Sequence, residues 1–446
     1  MTHAVAAPSR LILTQSKSLR LLTVLLFYFT QGFPIGLFFY AIPAWMAANG
    51  AGASDIAWVV GGAGLPWSLK LINGFLIDRY TFLPMGRRRS WIIGAQTILV
   101  GVFFVGAIMS PAADDLMLLA GFAFVANFAV TFQDVGIDSL MIDMMPEEER
   151  ARAAGFMYGA QVIGISAATA LGGAMFQNFG FWAGLIAAAA VPAIVLLYGI
   201  LIREREGERR LPWSAGSTHP DSQLDKIEAW WPLLKRAFRA LFSPFSLLLV
   251  PILLARSIPY GGFDTFNPVL FTQIVGWELD QWTNFYATLT FVGGIFALML
   301  GGWIVEKLGV ERAILGASIF GIALMVVMGS TQSMWVNGWY SAGFVALNDV
   351  AFLFYSIAMI PLSMRLCSPA VAATQFTIFM AIGNFGRPIG AAIASVTAGQ
   401  GNPHWLYWIG AMAWFVVALT VIFVRFPKAN VVNPSPDSEG IPARVD

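Results

Sequence analysis

The chain has 446 residues, 58% of them hydrophobic and 11% charged, with a mean hydropathy of +0.71. Soluble domains carry roughly 25% charged residues, so this composition excludes an ordinary soluble protein and points to lipid. A net charge of +1 makes nucleic acid an unsuitable partner, the single cysteine (Cys367) excludes an intramolecular disulfide, and His3, His219 and His404 all fall in expected loops or tails, so neither a metal centre nor a cofactor is expected.

Residues 1–20 are polar and basic, with Arg10, Lys17 and Arg20 leading into a long apolar run, and read as a cytoplasmic tail rather than a cleaved signal. A bilayer core of about 30 Å needs about 20 apolar residues per helix. Twelve such runs follow, near 21–46, 54–78, 91–110, 115–142, 153–175, 180–202, 245–273, 282–305, 312–330, 336–360, 372–397 and 404–425. The expected fold is an all-α membrane protein of twelve transmembrane helices in two pseudo-symmetric six-helix bundles, 21–202 and 245–425. A cytoplasmic linker, 203–244, joins them, and a cytoplasmic tail, 426–446, ends the chain. Within the linker, Trp230 to Phe242 reads as an amphipathic helix on the membrane surface.

Counted from a cytoplasmic N-terminus, 23 of the 26 Lys and Arg fall in alternate loops on one side. That is the positive-inside pattern and puts both termini in the cytoplasm. The other three, Lys70, Arg256 and Arg387, lie inside expected spans.

The halves repeat one another in order. Pro34-Ile35-Gly36-Leu37-Phe38 running to Pro43 matches Pro259-Tyr260-Gly261-Gly262-Phe263 running to Pro268; these prolines mark where helices 1 and 7 bend. Gly74 to Asp78-Arg79 matches Gly302 to Glu306-Lys307, and Gln133-Asp134-Val135 matches Asn348-Asp349-Val350.

After helix 2, Gly74-x-x-x-Asp78-Arg79 with Gly86-Arg87-Arg88-Arg89 resembles the major facilitator loop signature, lengthened by about five residues. The signature implies a conformational gate: glycine permits close helix contact, and Asp78 faces the positive end of a helix in the other half. A basic loop serving only orientation is the alternative, and the related Glu306-Lys307 pair weighs against it.

Charges inside the spans mark a substrate or proton pathway, because a buried unpaired charge costs several kcal/mol and must pair, neutralise or meet water. Asp134 and Asp138 share a face of helix 4. At 1.5 Å per residue Asp134 lies roughly 18 Å above Pro146 and Lys70 roughly 12 Å above Asp78, so Lys70 is placed to pair with either carboxylate. Arg256, Asp349 and Arg387 fall in the middle third of helices 7, 10 and 11; Asp264 lies nearer the outer end of helix 7, as cavity lining or hydrated mouth. Fixed ion pairs between helices are the alternative for the set, and the preferred one for Asp143 as partner of the basic loop. Phe38, Phe39, Tyr40, Trp67, Tyr260, Phe263 and Phe266 are candidate cavity walls, with ordinary packing the commoner role. No Walker A pattern occurs, which argues against direct ATP drive.

A narrower resemblance rests on Gly32-Phe33-Pro34 with Ala44-Trp45-Met46, on Lys70-Leu71 leading to Asp78-Arg79-Tyr80-Thr81, and on Gln133-Asp134-x-x-x-Asp138 running to Pro146-x-Glu148-Glu149-Arg150. Ala373-Thr374-Gln375-Phe376 followed by Gly386-Arg387 completes it. Together these resemble the AmpG-like anhydromuropeptide permease and acetyl-coenzyme A transporter branch of the major facilitators. The resemblance implies uptake of a small organic solute, such as a muropeptide-like compound, through a bacterial inner membrane, driven by protons. It carries over Lys70, Asp134, Asp138 and Arg387 as site residues and adds Gln375. The chain departs from muropeptide-type members where it reads Leu140-Met141 and Gln161 in place of further basic residues in helices 4 and 5, and Ile258-Pro259 in place of a Gly-Asp pair early in helix 7, which weighs against a strongly anionic muropeptide. The partners expected are membrane lipid, the substrate and protons, with the chain a monomer and not an enzyme. An exporter, or a membrane-embedded enzyme or sensor reusing the fold, are the alternatives.

Overall fold

A computed structural model describes residues 11–223, 231, 232, 235, 238, 239, 242–367 and 372–426; side chains at 75, 147–155, 245, 256, 298, 372 and 373 lie outside the description. Most of the expected surface helix Trp230 to Phe242 and the tail beyond Phe426 lie outside the described residues.

The N-terminal half contains α1 (Lys17–Ala48), α2 in two pieces (Ala53–Ser68 and Lys70–Arg79), α3 (Arg89–Met109), α4 (Leu116–Met144), α5 (Glu147–Phe179) and α6 (Phe181–Leu201). The C-terminal half contains α7 (Pro244–Val269), α8 in two pieces (Leu279–Phe296 and Gly302–Leu308), α9 (Val310–Ser330), α10 (Gly338–Arg365), α11 (Ala372–Gly399) and α12 (His404–Phe423). Among the described residues ten helices are long and apolar enough to cross a membrane, and the bent α8 pair makes an eleventh.

The expected second span, 54–78, is not one continuous apolar helix. It is interrupted at Leu69 (φ −91°, ψ 1°), three residues after Pro66. Lys70 therefore begins the second piece. Widened, π-type turns interrupt three other helices, at Leu37–Ala41 in α1, at Leu270–Val275 where α7 ends, and at Ala297–Gly301 between the pieces of α8. Pro43 follows the first of these and Pro268 precedes the second, so the two helix-bending prolines flank the places where the ladder is loosened; Pro34 and Pro259 lie within α1 and α7.

Within each half, one helix pair approaches backbone to backbone. A Cβ on Gly164 of α5 would sit 2.0 Å from the Phe29 carbonyl of α1, and one on Gly390 of α11 would sit 1.9 Å from the Ile258 carbonyl of α7. Only glycine fits such contacts. Between the halves, α2 meets α11 where Asn384 donates to the Trp67 carbonyl at 3.2 Å, and α5 meets α8 where Ser166 donates to the Ala287 carbonyl at 2.8 Å. At the face opposite the basic loops, the Gln273 amide donates to the carbonyls of both Ala47 and Ala51 at 2.8 Å, joining α7 to the end of α1.

Candidate functional site: two charged clusters and a basic-face latch

The first cluster lies within the N-terminal half. Lys70 is paired with Asp134, and its Nζ is 3.9 Å from Asp138, so one ammonium stands between two carboxylates one helical turn apart. Tyr28 of α1 donates to Asp138 and, at 3.3 Å, to Asp134, while Gln31 donates to Asp134 at 2.6 Å. Asp134 is 6% exposed, whereas Asp138, one turn nearer the basic loops, is 41% exposed. The cluster thus opens towards the basic face, and α4 presents its buried carboxylate to α1 and α2. The expected pairing of Lys70 holds for both partners, and Tyr28 and Gln31 are additions. Their signal in the sequence was only that two polar groups three residues apart sit in an apolar run.

The second cluster bridges the halves. Arg387 of α11 donates from Nε to Asp264 of α7 at 2.7 Å and from Nη2 to the Tyr40 hydroxyl of α1 at 2.9 Å. Its guanidinium lies 3.7 Å from the centre of the Phe39 ring and 5.3 Å from that of Tyr260, a cation held by aromatic faces and one carboxylate. Tyr40 and Tyr286 rings are 4.6 Å apart, and Tyr286 shares a 3.2 Å hydrogen bond with Tyr260. Asp264 is buried, which resolves its alternatives in favour of the interior. Asp349 lies on α10, and Phe352, one turn on, stacks on Tyr260 at 4.1 Å. Of the aromatic residues named from sequence, Phe39, Tyr40 and Tyr260 surround this cluster. Phe38, Phe263 and Phe266 pack against Phe103, Phe344 and Trp335 respectively, and Trp67 donates to Asn127 at 3.0 Å.

Two expected pathway residues remain. Arg256 lies on α7 with its side chain outside the described residues. Gln375 is buried and donates to Ser246 at 3.1 Å and to the Leu366 carbonyl, tying the start of α11 to the start of α7, about 18 Å along the helix from Arg387.

At the basic face, the signature residues form a latch whose partners differ from those expected. Asp78 pairs with Arg88 of its own half, not with a helix terminus of the other, and Arg88 Nε also donates to Asp143 at 2.9 Å. Asp143 is thus the structural partner expected of it. Open space surrounds the position of a Cβ on Gly74, so that glycine makes no close helix contact here. Arg79 is exposed beside the Tyr80 ring. Glu306 and Lys307 are both exposed, with Lys307 over the Trp303 ring at 4.3 Å, because the C-terminal latch uses another pair: Glu311 of α9 with Arg365 of α10 at 2.8 Å. That pair sits 223 and 222 residues after Arg88 and Asp143, with the signs exchanged.

Glu204, just beyond α6, completes the latch. Its carboxylate accepts from the backbone N–H groups of Arg87 and Arg88 at 2.8 Å and of Arg89 at 2.7 Å, capping the positive end of α3. Gly86, at φ +97°, leaves room for it; a Cβ there would lie 2.5 Å from the carboxyl carbon. Burial raises the Glu204 carboxyl above the usual range despite those three donors. Arg89 reaches the carbonyls of Gly199, Ile200, Arg209 and Arg210, so the first residues of the linker are clamped to α3. Nothing in the run Arg203-Glu204-Arg205-Glu206 distinguishes Glu204 from its neighbours.

Known proteins accord with this architecture. A family model described as Major Facilitator Superfamily matches residues 24–391. The anhydromuropeptide permease of Escherichia coli is 26% identical over 378 residues, covering 82% of this chain and 71% of that one. The folate-biopterin transporter of Synechocystis is 23% identical over 410 residues, covering 89% and 77%. A crystal structure of the nucleoside transporter NupG superposes with a TM-score of 0.66 at 15% identity, covering 90% of this chain and 99% of that one, which fixes the fold. With a match over most of its length and two helical bundles meeting around buried charges, this chain belongs to the Major Facilitator Superfamily of membrane transporters, not to an enzyme family.

Proposed function

We propose that this chain is a monomeric secondary transporter of a bacterial inner membrane, with both termini cytoplasmic, that takes up a small organic solute by alternating access with protons as the coupling ion. The observation that carries the reading is Lys70 set between Asp134 and Asp138. Two carboxylates beside one ammonium leave one negative charge over, which a proton neutralises, and Asp138 gives that proton a way to the basic face. Protonation loosens the hold of the carboxylates on Lys70 and lets α2 shift against α4. The closed opposite face, with Gln273 bonded to Ala47 and Ala51, supports a state open to the cytoplasm. Arg387, Asp264 and their aromatic surround lie where α1, α7 and α11 meet and supply the solute site.

The relatives suggest the first solutes to try: anhydromuropeptide, folate and biopterin, and nucleosides, with the muropeptide-like class foremost. The test is uptake of each by proteoliposomes of known orientation, with the proton gradient imposed inward, outward or absent. Uptake stimulated only by the inward gradient and lost in Asp134→Asn is expected. Gradient-independent flux, or flux indifferent to Asp134→Asn, Asp138→Asn and Lys70→Ala, would sink the coupling mechanism, and outward transport would make the protein an exporter.

A further inference from the structure

The internal repeat sets Asp134 of α4 against Asp349 of α10, and the two carboxylates have different surroundings. Asp134 is held by Lys70, Gln31 and Tyr28. The shift of 228 residues that relates Asp78 to Glu306 carries Lys70 to Leu298, and the shift of 225 that relates Pro34 to Pro259 carries Tyr28 to Leu253. The second half therefore lacks the ammonium and the phenol. Asp349 makes neither an ion pair nor a hydrogen bond among the described residues.

Two arginines of the C-terminal half come into question as its partner, and the helix register sets both aside. α7 and α10 run antiparallel, since Ile252 meets Tyr355, Tyr260 meets Phe352 and Phe263 meets Phe344. Arg256, the match of Gln31, thus sits one turn from the Tyr260–Phe352 stack on the side of the basic face. Asp349 sits one turn from it on the other side, so the two backbones are roughly 10 Å apart along the helix axes. Asp264 also lies one turn beyond Tyr260 on that other side, so two carboxylates share one depth. Arg387 is bonded to Asp264 and to Tyr40, and its charge offsets only one of them. One negative charge is left inside the bundle, where an unpaired ion is costly.

That charge faces the interior. In this stretch of α10 Leu347 and Val350 are exposed, whereas Val345 and Asn348 are buried. At about 100° per residue Asp349 lies roughly 160° round the helix from Leu347 and roughly 40° from Val345. Its partial exposure is therefore to the space between helices and not to lipid. The neighbouring wall is aromatic, with Phe352 on the same face of α10 stacked on Tyr260 at 4.1 Å. A small metal cation needs several oxygen ligands in exchange for its water, which such a wall does not supply; an alkylammonium needs one carboxylate and tolerates aromatic neighbours.

We propose that Asp349 is the counter-ion for a protonated amine on the transported solute, at the depth of the Arg387–Asp264 pair. This deepens the transport reading and rests on it for the word transported; the binding itself does not depend on proton coupling.

The purified full chain in a non-ionic detergent is titrated with benzylammonium chloride and with benzyl alcohol as its uncharged counterpart, followed by saturation-transfer NMR against protein-free micelles. Benzylammonium is expected to bind at least about tenfold more tightly than benzyl alcohol, the worth of one charge-assisted hydrogen bond. Asp349→Asn keeps the shape, removes the charge and should cost about tenfold, while Asp349→Glu should keep most of the binding. Asp114→Asn, which removes an exposed carboxylate from the loop before α4, should leave binding unchanged, and melting curves on every variant report the fold. Equal binding of the two probes, or unchanged affinity in Asp349→Asn, overturns the subsite. Binding of neither probe overturns it and leaves the carboxyl to a proton; Asp349-dependent broadening of the sodium-23 signal without amine binding overturns it in favour of a metal cation. Gradient-driven uptake of a solute that carries no amine, unchanged in Asp349→Asn, overturns the subsite while leaving the transport reading standing. Amine binding that depends on Asp349 in a chain that transports nothing removes that reading and keeps the subsite.

Discussion

Arg387 and Asp264 meet at 2.7 Å across the glycine-lined contact of α7 and α11, and the same guanidinium lies on Phe39 and bonds Tyr40 from the opposite half. One side chain thus belongs to both bundles. Removing one member of a buried pair strands the other, at a cost of about 3–5 kcal/mol, whereas replacing both with apolar groups is often neutral. Arg387→Ala is therefore expected to lower thermal stability strongly, and Arg387→Met with Asp264→Leu to restore most of it without restoring uptake. Melting curves and flux measured on the same preparations check this. Uptake regained by the double variant would make the pair a structural tie alone.

For the first cluster, Lys70→Arg keeps a positive charge but replaces a compact ammonium with a planar fork, which cannot sit between two carboxylates on one helix face in the same way. A drop in gradient-driven uptake of at least about tenfold is expected, equivalent to about 1.4 kcal/mol. Counterflow exchange, which needs no net proton movement, should suffer less. An equal loss in both assays would place Lys70 in solute binding rather than coupling.

Glu208, four residues beyond Glu204 in the linker, gives this face a pH response. Burial, with the neighbouring Glu204 carboxylate, raises its carboxyl from 4.5 to about 7, while the Arg205 N–H at 2.9 Å, Arg205 and Arg89 pull the other way, and the Ser222 hydroxyl donates to it at 3.4 Å. A group raised in the folded state binds more protons folded than unfolded between those values, so its contribution to stability is fullest below 4.5 and is lost as pH rises to about 7. The melting temperature should fall across that window, and Glu208→Gln should flatten the slope. A slope unchanged in the variant would assign the pH response to other groups.

Closure of the face opposite the basic loops rests in part on Gln273. Gln273→Leu removes both bonds to α1, each worth about 0.5–1.5 kcal/mol net. A shift of roughly tenfold towards opening of that face is expected. Maleimide labelling of Ser54→Cys in a Cys367→Ser background reads it, and an unchanged labelling rate would mean that the helix contacts alone hold the closure.

Gly164→Ala and Gly390→Ala each place a methyl group within about 2 Å of a backbone carbonyl on the partner helix. A helix axis has to move, so each should cost about 1–3 kcal/mol of stability. Gly74→Ala, which points its methyl into open space, serves as the neutral comparison in the same melting experiment.

Much of this was legible in the sequence because membrane-spanning helices are set by length and apolarity, quantities that single residues cannot disguise. Lys70, Asp134 and Asp138 were visible for the same reason: a charge in an apolar run has few innocent explanations. The break in α2 was harder, since Pro66 and Lys70 fall within an otherwise plausible span. The partner of Asp78 was missed because the loop between Asp78 and Arg88 folds back, a distance that counting along a helix does not give. Glu204 was illegible because its role comes from the cap of α3, 115 residues earlier, and not from its own neighbours.

The exchanged signs of Arg88–Asp143 and Glu311–Arg365 bear on how the chain assembles as it leaves the ribosome. Two bundles of common pattern, emerging one after the other into one bilayer, risk grafting a helix of the second onto the first. Were α9 to dock on α4, Glu311 would confront Asp143; were α3 to dock on α10, Arg88 would confront Arg365. Each mistake sets like charges against one another at the point where the right choice sets opposites. The polarity reversal thus acts as a sorting label, and half-chains produced separately in one cell should re-form the protein without trading helices, as disulfide crosslinks engineered across each joint would record.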